Sequence, residues 1–178
     1  MGPLYVDFSK LNITIIDEDA FSQMFVLNKK RITLDMSGLS DVTITGRFDL
    51  NMTPYGSFVK MFYANSEFIN VDLSSFNPST ITTAAFAQMF YTNSNTINVN
   101  MSGLTNPILE DYAFYDMFDS NEGIIDLNMS GLTNPTLLVP NAFIYMFYRN
   151  SGPINLDMSS FNPTGTLEED VFYGMFIE

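Results

Sequence analysis

The chain has 178 residues, 46% of them hydrophobic and 15% charged, and a net charge of −13. That is enough apolar material for one folded core and too much for a disordered chain. The absence of cysteine and histidine removes disulfides, zinc–thiolate sites, cysteine nucleophiles and any Ser-His-Asp arrangement, and seven basic side chains are too few for a phosphate-binding surface.

The first element is a short strand from Leu4 to Ser9, ending on Asp7-Phe8-Ser9. No basic or strongly apolar leader precedes it, so no signal peptide is expected in this stretch. Next comes Phe21-Ser22-Gln23-Met24-Phe25, whose apolar residues at i, i+3 and i+4 predict one helical face, with Asp19 as a cap. Lys29-Lys30-Arg31 is the one basic cluster and reads as a solvated turn. Ile32 to Ser37 alternates apolar and polar residues, which predicts a half-buried strand. Residues 41–52 then place Val42, Ile44, Phe48, Leu50 and Met52 on either side of Thr45-Gly46-Arg47, the pattern of a small hairpin bulging from the body.

From there the two elements recur. Strands are expected at Ile69–Ser74, Ile97–Ser102, Ile125–Ser130 and Ile154–Ser159. The F-x-x-M-F block returns at Phe58, Phe86, Phe114, Phe143 and Phe172, with cap-like Thr83, Asn141 and Asp170 ahead of three of the copies. Turns fall at Asn77-Pro78, Asn106-Pro107, Asn134-Pro135 and Asn162-Pro163. The central methionines, from Met24 to Met175, are spaced by 37, 28, 28, 29 and 29 residues, and the insertion at 41–52 accounts for the long interval. A unit this short cannot bury its own Phe and Met, but stacked copies can, so residues 1–178 are read as one repeat solenoid.

Val71-Asp72-Leu73-Ser74-Ser75-Phe76 followed by Met89-Phe90, and Leu156-Asp157-Met158-Ser159-Ser160-Phe161 followed by Met175-Phe176, resemble the BspA-like leucine-rich repeat of bacterial and protist surface proteins. The same repeat is known from mycoplasma proteins of unknown function. The likeness spans nearly the whole chain, though the usual repeat is nearer 25 residues and Asn stands here where many members carry Cys. It implies a cell-surface or secreted location and an adhesive or binding role, with no catalytic residue. The expected fold is α/β: a right-handed leucine-rich-repeat-like solenoid of five to six coils, with a parallel sheet on one face and short helices on the other.

In such a horseshoe the outward strand positions form the concave binding surface. The candidate contact residues are therefore Asp35, Asn70, Asp72, Asn98, Asn100, Asp126, Asn128, Asn155 and Asp157, with Thr33 in the same rows. Asp35 and Asp72 are adjacent carboxylates open to a Ca²⁺ reading, or to a catalytic-pair reading, yet as two rungs of a ladder they fit neither well. Asn28, Asn65, Asn93, Asn121 and Asn150, each three residues after a Phe, read as a structural ladder closing tight turns, against the alternative of a ligand ladder. Tyr63, Tyr91 and Tyr148 form either a partly buried row or a surface stripe. Arg47 and Phe48 are the contact candidates of the insertion.

The expectation is a non-enzymatic module without cofactor or metal, contacting a protein or glycan on another cell surface. The rival is a structural subunit that stacks head to tail into a filament. Both ends of the sequence are nearly in phase with the repeat, and the acidic charge lies mostly beyond residue 60. Neither nucleic acid nor membrane insertion is expected.

Overall fold

The structure, a computed structural model, describes residues 2–137, 140–164 and 167–178. Its frame is a six-stranded parallel sheet in the order β1 (Leu4–Asp7), β3 (Ile32–Asp35), β7 (Ile69–Asp72), β9 (Ile97–Asn100), β11 (Ile125–Asn128) and β13 (Ile154–Asp157). Consecutive strands pair in register, so Val6, Leu34, Val71, Val99, Leu127 and Leu156 form one inward row. A second side is built from two-residue strands: β2 (Ile15–Ile16) with β4 (Thr43–Ile44), and β8 (Thr80–Ile81), β10 (Ile108–Leu109) and β12 (Thr136–Leu137) in a three-stranded strip. The chain is thus a β-solenoid of about five turns.

The third side corrects the expected fold class. Among the described residues there is no helix; each F-x-x-M-F block is a string of β-turns. Met61 N–H donates to the Phe58 carbonyl, with Lys60 between them at φ 52°, which is type II turn geometry. Tyr63 N–H then donates to the Lys60 carbonyl, while the intervening amides of Phe58, Lys60 and Phe62 cross to Ala85, Ala87 and Met89 of the next coil. Of the cap-like residues, Asp19, Asn141 and Asp170 sit at positive φ inside the turns and Thr83 just ahead of Ala84 at φ 58°, so none of the four caps a helix.

The reason is spacing. Paired strands lie about 4.8 Å apart, whereas packed helices need about 8–10 Å. A stack of turns matches the sheet side coil for coil, so the phenylalanines superpose. Phe21, Phe58, Phe86, Phe114, Phe143 and Phe172 form one column, with ring centroids 5.0–5.5 Å apart and planes within 11°. Phe25, Phe62, Phe90, Phe118, Phe147 and Phe176 form a second at 5.0–5.4 Å. Met61, Met89, Met117 and Met146 fill the space between them, fully buried. Matched widths on both sides also remove the mismatch that bends a strand–helix repeat into a horseshoe, and with it the reason to expect a concave sheet face.

The insertion is an antiparallel pair, β5 (Gly46–Phe48) with β6 (Pro54–Gly56). The two-residue strand β4 belongs instead to the second side of the solenoid, so the hairpin begins five residues later than its expected 41–52 limits suggest. Gly46 and Gly56 face each other where the chain leaves and rejoins the coil. A Cβ on either would lie 2.2 Å from a carbonyl oxygen of the next coil, at Thr83 or Ala84.

Candidate functional site

The outward face of the six-stranded sheet carries two side-chain rows that behave differently. In the row nearer the turn, the fourth strand residue and its neighbours close the strand locally. Asp7, Asp35, Asp72, Asn100, Asn128 and Asp157 each accept the N–H of the serine two residues on, at 2.8–3.2 Å. This is an Asx turn, repeated in every coil because every coil spells Asp/Asn-x-Ser. The Ser9 hydroxyl and N–H hold the Asp7 carboxyl below its ordinary range, and the Ser159 N–H and hydroxyl do the same for Asp157. Five candidate contact residues, Asp35, Asp72, Asn100, Asn128 and Asp157, therefore already spend an oxygen on their own turn. Asp35 and Asp72 do stand side by side in register, yet among the described residues no three metal-capable side chains gather anywhere.

The other row runs Tyr5, Thr33, Asn70, Asn98, Asp126, Asn155. Its amides are tied only to one another: Asn98 Nδ2 donates to Asn70 Oδ1 at 2.9 Å and Asn155 Nδ2 to Asp126 Oδ1 at 2.5 Å. Beside Asn98, Asp126, Asn128, Asn155 and Asp157 lies an open groove of about 520 Å³. Amides and carboxylates line it without an aromatic side chain, a surface that can hydrogen-bond a polar chain but cannot stack on a flat ring.

Asn28, Asn65, Asn93, Asn121 and Asn150 are brought together in a different place, just after the turn string. The Oδ1 of each of the last four accepts the backbone N–H of the asparagine one coil earlier, at 2.6–2.8 Å. Asn65, Asn93 and Asn121 are buried, and Asn121 Nδ2 also donates to the Phe118 carbonyl at 2.6 Å. These side chains are committed to holding coils together.

Arg47 and Phe48 fold back onto the body. Arg47 Nε lies 3.1 Å from Glu18 Oε2 and its guanidinium stacks 4.6 Å over Tyr55, while Phe48 meets Tyr112 and Tyr115 edge-on at 5.1 and 5.8 Å. Phe48 thus reaches two coils past its own. The exposed apolar part of the hairpin is its tip, Leu50 and Met52.

Tyr63 and Tyr91 stack at 5.7 Å, but the next coil places Asp119 in their column, ahead of Tyr148. Asp119 is buried and takes Arg149 Nη2 at 3.1 Å. Next to it Asp116, also buried, accepts Gln88 Nε2 at 3.3 Å. Burial foremost, with the Asp119 charge adding to it, pushes the Asp116 carboxyl up to about 6. Burial and these carboxylates likewise push the Tyr115 hydroxyl well above its ordinary value. This acidic pocket was not read from the sequence; aligning the coils puts Gln88 and Asp116 in one column, and that is the signal available.

No family model, curated protein or solved structure matches the chain.

Proposed function

We propose that the chain is a non-enzymatic binding module of a cell surface or the extracellular space, contacting a protein or glycan through the outward face of its parallel sheet. The observation that carries this reading is the Asn70–Asn98–Asp126–Asn155 row, whose polar groups are satisfied only by one another while the parallel row is consumed by its turns. A periodic surface of this kind offers an amide or a carboxylate at four successive coils, which suits an extended polar ligand. The resemblance to BspA-like surface repeats supports the location. Partners would exchange the Asn98–Asn70 and Asn155–Asp126 bonds for bonds to themselves at modest net gain per contact, about 0.5–1.5 kcal/mol each, so affinity would build by repetition.

The test is a glycan and host-protein binding panel run on three proteins: the parent, an Asn98→Ala/Asp126→Ala variant, and a variant lacking Arg47–Tyr55. Binding that falls at least tenfold only in the first variant supports the sheet face. Binding lost only with the hairpin moves the contact to the Leu50–Met52 tip, and binding unaltered in both removes this reading.

A further inference from the structure

The hairpin and the turn strings beneath it enclose a groove. β6 runs from Pro54 to Gly56 directly into the turn string at Ser57 and Phe58, so Pro54 and Tyr55 stand beside the turn positions of two coils. Together they bound a space of about 430 Å³, to which the hairpin contributes Pro54 and Tyr55 and the coils Asp19, Gln23, Val59 and Lys60. That volume lies within the roughly 300–1,000 Å³ of small-molecule sites. Val59 is buried, Asp19 and Gln23 are exposed and Lys60 is half-buried, so the groove has an apolar patch and a polar margin.

The polar side chains here are uncommitted. Gln23 and Lys60 stand in the column that carries Gln88 and Asp116 two coils on, where the amide and the carboxylate bond each other at 3.3 Å. The side chains of Asp19, Gln23 and Lys60 enter no such bond: among the described residues the ion pairs are Arg47–Glu18 and Arg149–Asp119. Tyr55, by contrast, is fixed. The Arg47 guanidinium lies 4.6 Å from its ring centroid, and Glu18 holds Arg47 at 3.1 Å. The ring is therefore set before any ligand arrives, and less freedom is lost on binding.

We propose that this groove binds a neutral saccharide chain, with the C–H face of one sugar ring against Tyr55 and its hydroxyls bonded to Asp19, Gln23 and Lys60. A hydroxyl both donates and accepts, and the three side chains cover both roles: the carboxylate accepts, the ammonium donates and the amide does each. Asp19 and Lys60 offset one another in charge, so the lining favours neither an anion nor a cation. The amphipathic ring is what the groove on the sheet face lacks, since amides and carboxylates line that one without an aromatic side chain. The site is separate from the sheet face and does not depend on a contact there.

Isothermal titration calorimetry of the 178-residue chain with cellohexaose, chitohexaose and linear mannohexaose tests the proposal. Saturable binding of at least one of the three is expected. Tyr55→Ala is expected to weaken it about tenfold or more, while Tyr55→Phe, which keeps the ring, stays within about threefold. Gln23→Ala/Lys60→Ala is expected to weaken it about tenfold, and because it removes no intrachain side-chain bond it carries the test if circular dichroism shows Tyr55→Ala unfolded. Asn98→Ala/Asp126→Ala and Leu50→Ser/Met52→Ser are expected to leave binding unchanged, which separates the groove from the sheet face and from the hairpin tip. No binding of any of the three sugars, or binding indifferent to both groove variants, overturns the proposal. Binding lost instead with the sheet-face variant or the tip variant also overturns it, and places the sugar at that surface.

Discussion

At Thr92 a β-branched residue sits at φ 57°, its hydroxyl bonded to the Tyr91 carbonyl at 2.8 Å. Left-handed backbone costs an L-residue roughly 1–2 kcal/mol, and β-branching makes it worse. Thr92→Gly is therefore expected to raise stability by about 0.5–1 kcal/mol in urea unfolding, even after the greater freedom of the unfolded chain is counted. Asn93 is the opposite case. Its buried Oδ1 takes the Asn65 N–H, so Asn93→Ala strands a buried donor and should cost about 1–3 kcal/mol, whereas outward Asn98→Ala should stay within about 0.5 kcal/mol. Asp116 adds a pH dependence. Its folded carboxyl titrates near 6 against an ordinary value of 3.8, so the folded state holds the proton more tightly. Stability from this group is full below about pH 4 and is lost as pH rises through 6, by roughly 2–3 kcal/mol. Asp119, Tyr115, Gln88 and Arg149 surround the carboxyl. Melting temperatures of the parent and Asp116→Asn across pH 4–8 are expected to converge at the acidic end and separate at the neutral end, with the variant the more stable.

The element that the sequence disguised is the turn string. Apolar residues at i, i+3 and i+4 mark a helical face, but two successive four-residue turns place Phe58, Met61 and Phe62 inward just as well. The feature that separates the two is a residue at positive φ midway. Glycine would announce it, yet the column reads Gln23, Lys60, Gln88, Asp116, Tyr145 and only then Gly174. The six strands of the main sheet were plain, because period-two alternation has no rival reading over five residues, although each stops at its Asp or Asn, two residues short of the expected Ser, and the two-residue strands of the second side went unread. The acidic pocket was hidden because Gln88 and Asp116 stand 28 residues apart in sequence. At this scale the phenylalanine columns dominate. Phe114→Ala, between Phe86 and Phe143, should cost about 3–5 kcal/mol in a denaturant titration, whereas Phe176→Ala, at a side chain 59% exposed, should cost far less. Removing Arg47–Tyr55 joins Gly46 to Gly56 and restores the shorter spacing of the other coils. The variant is expected to fold, losing the Glu18 ion pair and the packing of Phe48 against Tyr112, Tyr115 and the Val59, Ala84 and Ala87 cluster.

For the molecule as a whole, the alternation of amides along the turn side has a consequence for exchange with heavy water. Ala85, Ala87, Met89 and Tyr91 donate within their own turns, while Phe86, Gln88, Phe90 and Thr92 donate to the coil that follows. Neighbouring residues therefore keep two clocks. One set slows only while its own turn is closed, and the other slows only while the coil above is in place. Deuterium uptake resolved residue by residue would show fraying as a step between odd and even positions, travelling inward from the outer coils one layer at a time.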